Sequence, residues 1–232
     1  MGTTTTSTGA LVPRVPRRYV SRTDFILERC VGKSVLHLGC SSGEALRHWL
    51  GTGKEAILHL RLAEVAEELY GVDIHEPSLQ VLRELGVQNL YLGDVEALDS
   101  LPITRRFDVV LAADLVEHLS NPGRMLGGIH RFLQREGELV LSTPNAFGLP
   151  NALRYFLRRF QDGPGHVAMF NSDNLVNLLS RYNYRTVDIC SAFDRLPWNR
   201  AKKLEFLIGA WFLRLKPENG GTLIVVATSE RE

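Results

Sequence analysis

From Ser34 onward the chain alternates short apolar runs with stretches in which apolar residues recur every three or four positions. The short runs are Ser34 to Leu38, Tyr70 to Ile74, Asn89 to Leu92, Phe107 to Ala113 and Glu138 to Ser142, and they have the length and bounding residues of buried strands. Between them the spacing turns helical. Leu58, Leu62, Val65 and Leu69 predict a helix within Glu55 to Leu69, Leu79, Leu82 and Leu85 one within Ser78 to Leu85, and Met125, Ile129, Phe132 and Leu133 one within Pro122 to Leu133. Parallel strands need a crossover, normally a helix, so this alternation predicts an α/β fold with a mostly parallel sheet covered on both faces. Later the rhythm changes. Tyr184 to Cys190 and Thr222 to Thr228 read as strands separated by a long insert, which predicts an antiparallel end to the sheet.

Residues 1–17 are rich in Thr, Ser and Pro and read as a flexible tail, followed by a single domain over 18–232. A chain of 232 residues that is 44% hydrophobic and 23% charged is long enough to bury one full core. Its 27 Lys and Arg against 26 Asp and Glu leave a formal charge of +1, which gives no global pull toward nucleic acid or a membrane surface. No nucleic-acid partner is expected. Cys30, Cys40 and Cys190 are too widely spaced for a disulfide framework or a CxxC metal site and imply a reducing, cytoplasmic setting. No metal-ligand cluster is visible along the sequence. The stretch MGTTTTSTGALVPRVPRR lacks the apolar centre of a secretory signal, and no run reaches the length of a membrane span.

In an open α/β sheet, ligands bind beyond the carboxyl ends of the strands near the switch point. There the sequence places GCSSG (Gly39 to Gly43), whose small residues let backbone amides approach a ligand. Asp73 ends the second run, where a carboxylate can take both hydroxyls of a ribose. Asp94 follows the third, placed to accept from an adenine amino group. The fourth run leads into FDVVLAADLVEHL with Asp114, Glu117 and His118. Carboxylates there also suit the positive end of a helix, and Glu117 is read that way.

The ordered set VLHLGCSSG, YGVDI, GDVEAL, FDVVLAADLVEHL and GELVLSTPN resembles the class I S-adenosylmethionine-dependent methyltransferases, over a range from about Tyr19 to the C-terminus. HVAMFNSDNLVNLLSRYNY is similar to the small-molecule and glycan-pathway branch that includes the ubiquinone-type O-methyltransferases. The resemblance implies a Rossmann-like, seven-stranded sheet with a reversed last strand and S-adenosylmethionine as cofactor. It puts His37, Gly39, Cys40, Ser41 and Gly43 at the methionine part, Asp73 on the ribose and Ile74 beside the adenine. Asp94 and Val95 would read the adenine edge, and Ala113 and Asp114 would face the methionine end. Two departures stand out: the family usually has an acidic residue at the position of His37 and a glycine at that of Ser41.

Methyl transfer to a hydroxyl needs an in-line acceptor and removal of its proton, work that histidine suits near neutral pH. His118 and His166, the latter in GPGHVAMF, are the candidate catalytic bases, while His48, His59 and His130 sit in helical patterns and read as surface or packing residues. By the resemblance, STPNAFGLPNALRYFLRRFQDGPG covers the acceptor pocket. Arg154, Arg158 and Arg159 can bind an anionic group of the substrate there or simply form a solvated face. RAKKLEFLIGAWFLRLK, residues 200–216, is apolar almost all round; packing or a homodimer contact through residues 201–216 is its expected use, with a weak membrane-surface contact as the alternative. The expected function is methyl transfer to a small-molecule or glycan-pathway acceptor, at oxygen. A nicotinamide-dependent oxidoreductase would need the GxGxxG spacing that GCSSG lacks, whereas His37 and Ser41 keep open a non-catalytic, methyltransferase-like binding module.

Overall fold

The computed structural model describes residues 13–41, 43, 46–53, 56–156, 165–193 and 213–231. Its elements begin with β1 (Tyr19–Ser21), α1 (Arg22–Cys30), β2 (Ser34–Leu38), α2 (Leu46–Thr52), α3 (Leu58–Val65), β3 (Glu68–Asp73), α4 (Glu76–Glu84) and β4 (Leu90–Leu92). They continue with β5 (Phe107–Ala113), α5 (Pro122–Ile129), β6 (Leu133–Pro144), α6 (Leu149–Phe156), α7 (Ser172–Arg181), β7 (Tyr184–Phe193) and β8 (Thr222–Ser229). Short 3₁₀ turns lie at Val95–Ser100, Val116–His118 and Pro217–Asn219.

The eight strands form one sheet in the order β1-β7-β8-β6-β5-β2-β3-β4. Every neighbouring pair is parallel except those of β8, which runs antiparallel to both β6 and β7. The reversed last strand is therefore as expected. The eighth strand is the three-residue β1, paired with β7 from Tyr19 opposite Ser191 to Ser21 opposite Phe193, and it is too short to show a period in sequence. The chain builds outward from β2 through β3 to β4, then returns to place β5 on the other side of β2. The switch point lies between β2 and β5.

Alternation along the strands divides the core between the two faces. Leu36, Leu38, Val110, Ala112, Leu139 and Leu141 pack with Met125, Leu126 and Ile129 of α5 and with Leu175 and Leu179 of α7. Val35, Val109, Leu111 and Val140 face Phe25, Ile26 and Cys30 of α1 and Leu62 of α3. Two predicted boundaries shift for a common reason. Leu69 continues the spacing of Leu62 and Val65 and joins the same cluster, yet Ala66 is already extended and Leu69 belongs to β3. Phe132 and Leu133 likewise share the core of Met125 and Ile129, but α5 ends at Ile129 and β6 begins at Leu133.

Of the N-terminal tail, residues 13–17 are described: Arg14 pairs with Asp173 at 2.7 Å, and the Arg17 N–H donates to the Ile189 carbonyl at 3.1 Å. Residues 1–12, 157–164 and 201–212 lie outside the described residues, and with them Arg158, Arg159 and most of the basic-flanked apolar segment. Among the described residues no helix is long and apolar enough to cross a membrane. The three cysteines are free and buried.

Candidate functional site

The loop after β2 is held by its own backbone. Gly39 has φ +70°, and a Cβ there would come within 2.9 Å of Leu115 Cδ1, so both the left-handed backbone and the close approach require glycine. The amides of Gly39 and Cys40 donate to the Val72 carbonyl at 2.8 and 3.2 Å, which fastens the loop to the end of β3. Ser41 is fully buried: its N–H donates to Asp73 Oδ2 at 2.8 Å and its Oγ accepts from the Gly43 N–H at 3.3 Å. The Gly43 carbonyl accepts from Ser78 Oγ at 2.6 Å. Since that hydroxyl spends its single proton on Gly43, the contact of 2.7 Å between Ser78 Oγ and His75 Nδ1 assigns the proton of this pair to His75 Nδ1. Serine at position 41, where the resembling family has glycine, thus becomes part of the clamp on Gly43.

Asp73 ends β3 with 7% exposure, Oδ2 bound to the Ser41 N–H and Oδ1 accepting from the His75 N–H at 2.9 Å. Each oxygen keeps a further lone pair. The next residue, Ile74, is 71% exposed, an isolated apolar side chain at the mouth of the site. A bond of 3.0 Å from the Gly93 N–H to the Asp73 carbonyl brings the loop after β4 alongside. Asp94 on that loop is exposed and caps the following turn through Oδ1, 2.8 Å from the Glu96 N–H, while Val95 is buried.

His37 is 3% exposed, and its Nδ1 lies 3.1 Å from Nδ1 of His59, the rings stacked at 5.3 Å. Burial first, and then the neighbouring His59 and Arg22, push the pKa of His37 well below the usual histidine value; burial lowers that of His59 to about 4. The two rings share one proton across their Nδ1 atoms, one donating and the other accepting. Cys40 is 2% exposed, and burial raises its thiol pKa well above the usual range. His59, read from sequence as a surface or packing residue, is the buried partner of His37. His130 does pack, stacked on Tyr184 at 4.2 Å and bonded to Ser229 and the Tyr182 carbonyl.

Beyond β5 the backbone bends sharply. Ala113 is half-buried, and Asp114 has φ +49°, a conformation that aspartate tolerates better than most residues. Its N–H donates to the Ser142 carbonyl at 2.9 Å, its Oδ1 accepts from Ser142 Oγ at 2.9 Å, and its Oδ2 lies 2.5 Å from the Arg22 guanidinium. The Arg22 side chain is 12% exposed and also donates from Nε to Ser142 Oγ at 3.2 Å. Neither Arg22 nor Ser142 carries a sequence signal for this role, because their proximity follows from α1 beginning where β6 nears its end.

Three residues on, Glu117 stands in the first turn of a short helix, as read from sequence, but it is buried. It lies in the 3₁₀ turn Val116–His118, is 2% exposed, and accepts at Oε2 from Thr143 Oγ1 at 2.9 Å. Oε1 is buried with no hydrogen-bond partner among the described residues. Burial, aided by nearby Asp114 and opposed by the backbone, Thr143 and His166, raises its carboxyl pKa to about 7. Its carbonyl accepts from the Val167 and Ala168 N–H groups at 2.9 and 3.1 Å, which carries His166 to the site. His118 and His166 meet edge to face at 4.7 Å, although 47 residues stand between them in sequence, and His118 Nδ1 lies 3.1 Å from the Gly165 carbonyl. Of the predicted substrate arginines, Arg158 is outside the described residues, and only the backbone of Arg154, within α6, is described.

A family model described as a methyltransferase domain matches residues 12–189. The chain is 28% identical over 131 residues to a ubiquinone biosynthesis O-methyltransferase of Proteus mirabilis, covering 53% of this chain and 48% of that protein. It is 27% identical over 169 residues to a probable S-adenosylmethionine-dependent methyltransferase of Mycobacterium tuberculosis, covering 71% of this chain and 53% of that one. The chain thus spans about half the length of these curated relatives. Its fold is similar to a crystal structure of an S-adenosylmethionine-dependent methyltransferase from Archaeoglobus fulgidus, with TM-score 0.55 and 20% identity over 89% of this chain and 90% of that one.

Proposed function

The chain belongs to the class I S-adenosylmethionine-dependent methyltransferases, and from that premise we propose that it transfers a methyl group from S-adenosylmethionine to an oxygen of a small-molecule or glycan-pathway acceptor. The observation that carries the reading is the turn after β5: Asp114 joins Arg22 at its start, and Glu117 and His118 meet His166 at its end. One short segment therefore serves a cofactor side and an acceptor side.

The residues present fit this cofactor, a nucleoside joined to an amino-acid zwitterion. The free lone pairs of Asp73 match two vicinal ribose hydroxyls, the exposed Ile74 offers an apolar face to adenine, and Asp94 offers an acceptor for its amino group. Asp114 and Arg22 supply an anion and a cation where ammonium and carboxylate would lie. When bound, the cofactor supplies an electrophilic methyl group on a positively charged sulfur. The chain's own work is to hold the acceptor oxygen in line and to deal with its proton, which falls to the His118 and His166 side. The O-methyltransferase relative from Proteus mirabilis supports oxygen as the target atom. Arg154 and Arg158 would then meet an anionic part of the acceptor, and residues 201–216 would serve as a contact surface.

Thermal shift and calorimetry with S-adenosylhomocysteine, against nicotinamide nucleotides, test the first half of this reading, since a ligand selective for the native state stabilises it. Mass spectrometry of an acceptor panel of phenols, aliphatic alcohols, sugars, carboxylates and amines tests the second. Failure to bind S-adenosylhomocysteine would refute the proposal, and methylation confined to nitrogen would overturn its choice of oxygen.

A further inference from the structure

Two features of the acceptor side are left unexplained by a simple histidine base. Glu117 is buried with one oxygen spent on Thr143 and the other, Oε1, lacking any partner among the described residues, an arrangement that costs free energy unless something completes it. In addition, a carboxylate oxygen of Glu117 and one ring nitrogen each of His118 and His166 lie within 4.8 Å of one another. A neutral base needs no such convergence.

We propose that Glu117, His118 and His166 form a binding site for a divalent transition cation of the zinc class. Two imidazoles and one carboxylate are the donor set of zinc sites that keep a fourth position open for water or substrate. Donors 2.0–2.1 Å from a tetrahedral ion stand roughly 3.3 Å apart. The set here, within 4.8 Å, would have to close by about 1.5 Å to reach that spacing. The contact of His118 Nδ1 with the Gly165 carbonyl assigns the ring proton to Nδ1 and leaves the Nε2 lone pair for the ion, the usual support of a metal-bound histidine. Thr143 does the same for the carboxylate by fixing Oε2. Magnesium and calcium, which prefer sets made wholly of oxygen, fit poorly.

The inference rests on the methyl-transfer reading only for its consequence. The ion's open position holds the acceptor hydroxyl and lowers its pKa, so that its proton leaves to water. The oxygen lone pair then forms the new bond to the methyl carbon, the C–S bond breaks, and its electron pair returns to sulfur, which becomes a neutral thioether. The histidines handle the proton through the ion.

The test titrates metal-free protein with ZnCl₂ and, separately, MgCl₂ in the absence of cofactor. It is repeated for Glu117→Gln, His118→Ala and His166→Ala, with S-adenosylhomocysteine binding measured on each. One zinc per chain is expected, weaker in the variants that still bind S-adenosylhomocysteine by at least the roughly 100-fold that loss of an outer-shell partner can cost, with little response to magnesium. CoCl₂ should give the visible absorption of a tetrahedral site in the parent and lose it in His118→Ala. That exposed position keeps the test informative even if Glu117→Gln fails to fold. A parent that binds no zinc, or variants that titrate as the parent does, would overturn the site while leaving methyl transfer intact. Failure to bind S-adenosylhomocysteine alongside normal zinc binding would instead count against the proposed activity.

Discussion

Replacing Asp73 with alanine probes the joint between fold and cofactor site. The carboxylate accepts from the Ser41 N–H at 2.8 Å and the His75 N–H at 2.9 Å while only 7% of the residue is exposed. Hydrogen bonds to a charged acceptor contribute about 1.5–3 kcal/mol each, and water can replace part of that at the rim of the site. A stability loss of about 2–4 kcal/mol follows. Independently, loss of the ribose acceptor should weaken S-adenosylhomocysteine binding by about 1–3 kcal/mol, or about 5–150-fold. Urea denaturation with and without ligand separates the two effects, since saturating ligand at about 100 Kd adds about 2.7 kcal/mol to the parent and correspondingly less to a weakened variant. Asp73→Asn distinguishes charge from shape: its amide can accept one of the two bonds but turns an N–H against the other donor, so it should lose nearly as much as alanine. A folded Asp73→Ala protein with parental stability and affinity would refute this account of the loop.

Other expectations concern charge and proton handling. Folded-state burial lowers the pKa of His59 from 6.5 to about 4, so its contribution is fully present above the unfolded value and is lost as pH falls from about 6.5 toward 4. Urea stability should drop by about 2 kcal/mol between pH 7 and pH 5, and His59→Gln should flatten that slope; an unchanged slope would clear the His37–His59 pair of the effect. With a hydroxyl acceptor identified, His118→Ala or His166→Ala should lower kcat about 10²–10⁴-fold at nearly constant S-adenosylhomocysteine affinity, and near-normal turnover in both would remove the pair from proton transfer. Arg22→Gln should weaken S-adenosylhomocysteine binding about 10-fold but leave adenosine binding unchanged, because only the former carries an amino-acid end; equal losses for both would place Arg22 in a general folding role.

What was legible in the sequence follows from the range over which each signal acts. The strand at Phe107–Ala113 is found to the residue because an apolar run with clear borders is a local property. Asp73 stands at the end of β3 and Asp94 just beyond β4, as their runs indicate, because the end of an apolar run is also a local property. Boundaries failed at Leu69 and Leu133, where residues of a following strand continue the apolar spacing of a helix and share its core. The burial of Glu117 carries no sequence signal, because it is decided by Thr143 and by the chain at 167–168, neither of which is its sequence neighbour. The pairing of His118 with His166 and of Arg22 with Asp114 depends on which segments the sheet order brings to one edge, and no local pattern encodes that.

On the proposed reading, the same topology lets one turn serve two ligands. Between β5 and β6 the parallel register ends with Ala113 opposite Ser142, and beyond it Asp114 binds Ser142 while Glu117 reaches Thr143. The turn is thus fixed to β6 at both of its ends, and its carbonyl at Glu117 in turn fixes Val167 and Ala168. In-line transfer tolerates little error in the separation of methyl group and acceptor. An acceptor loop hung from the strand end that also meets the cofactor's amino-acid part would move with the cofactor, which keeps that separation constant while the outer loops adjust to the acceptor. The buried position of Glu117 then has a structural rationale apart from any chemistry, since a solvated turn would be free to drift from β6 and would carry both ends of the reaction with it.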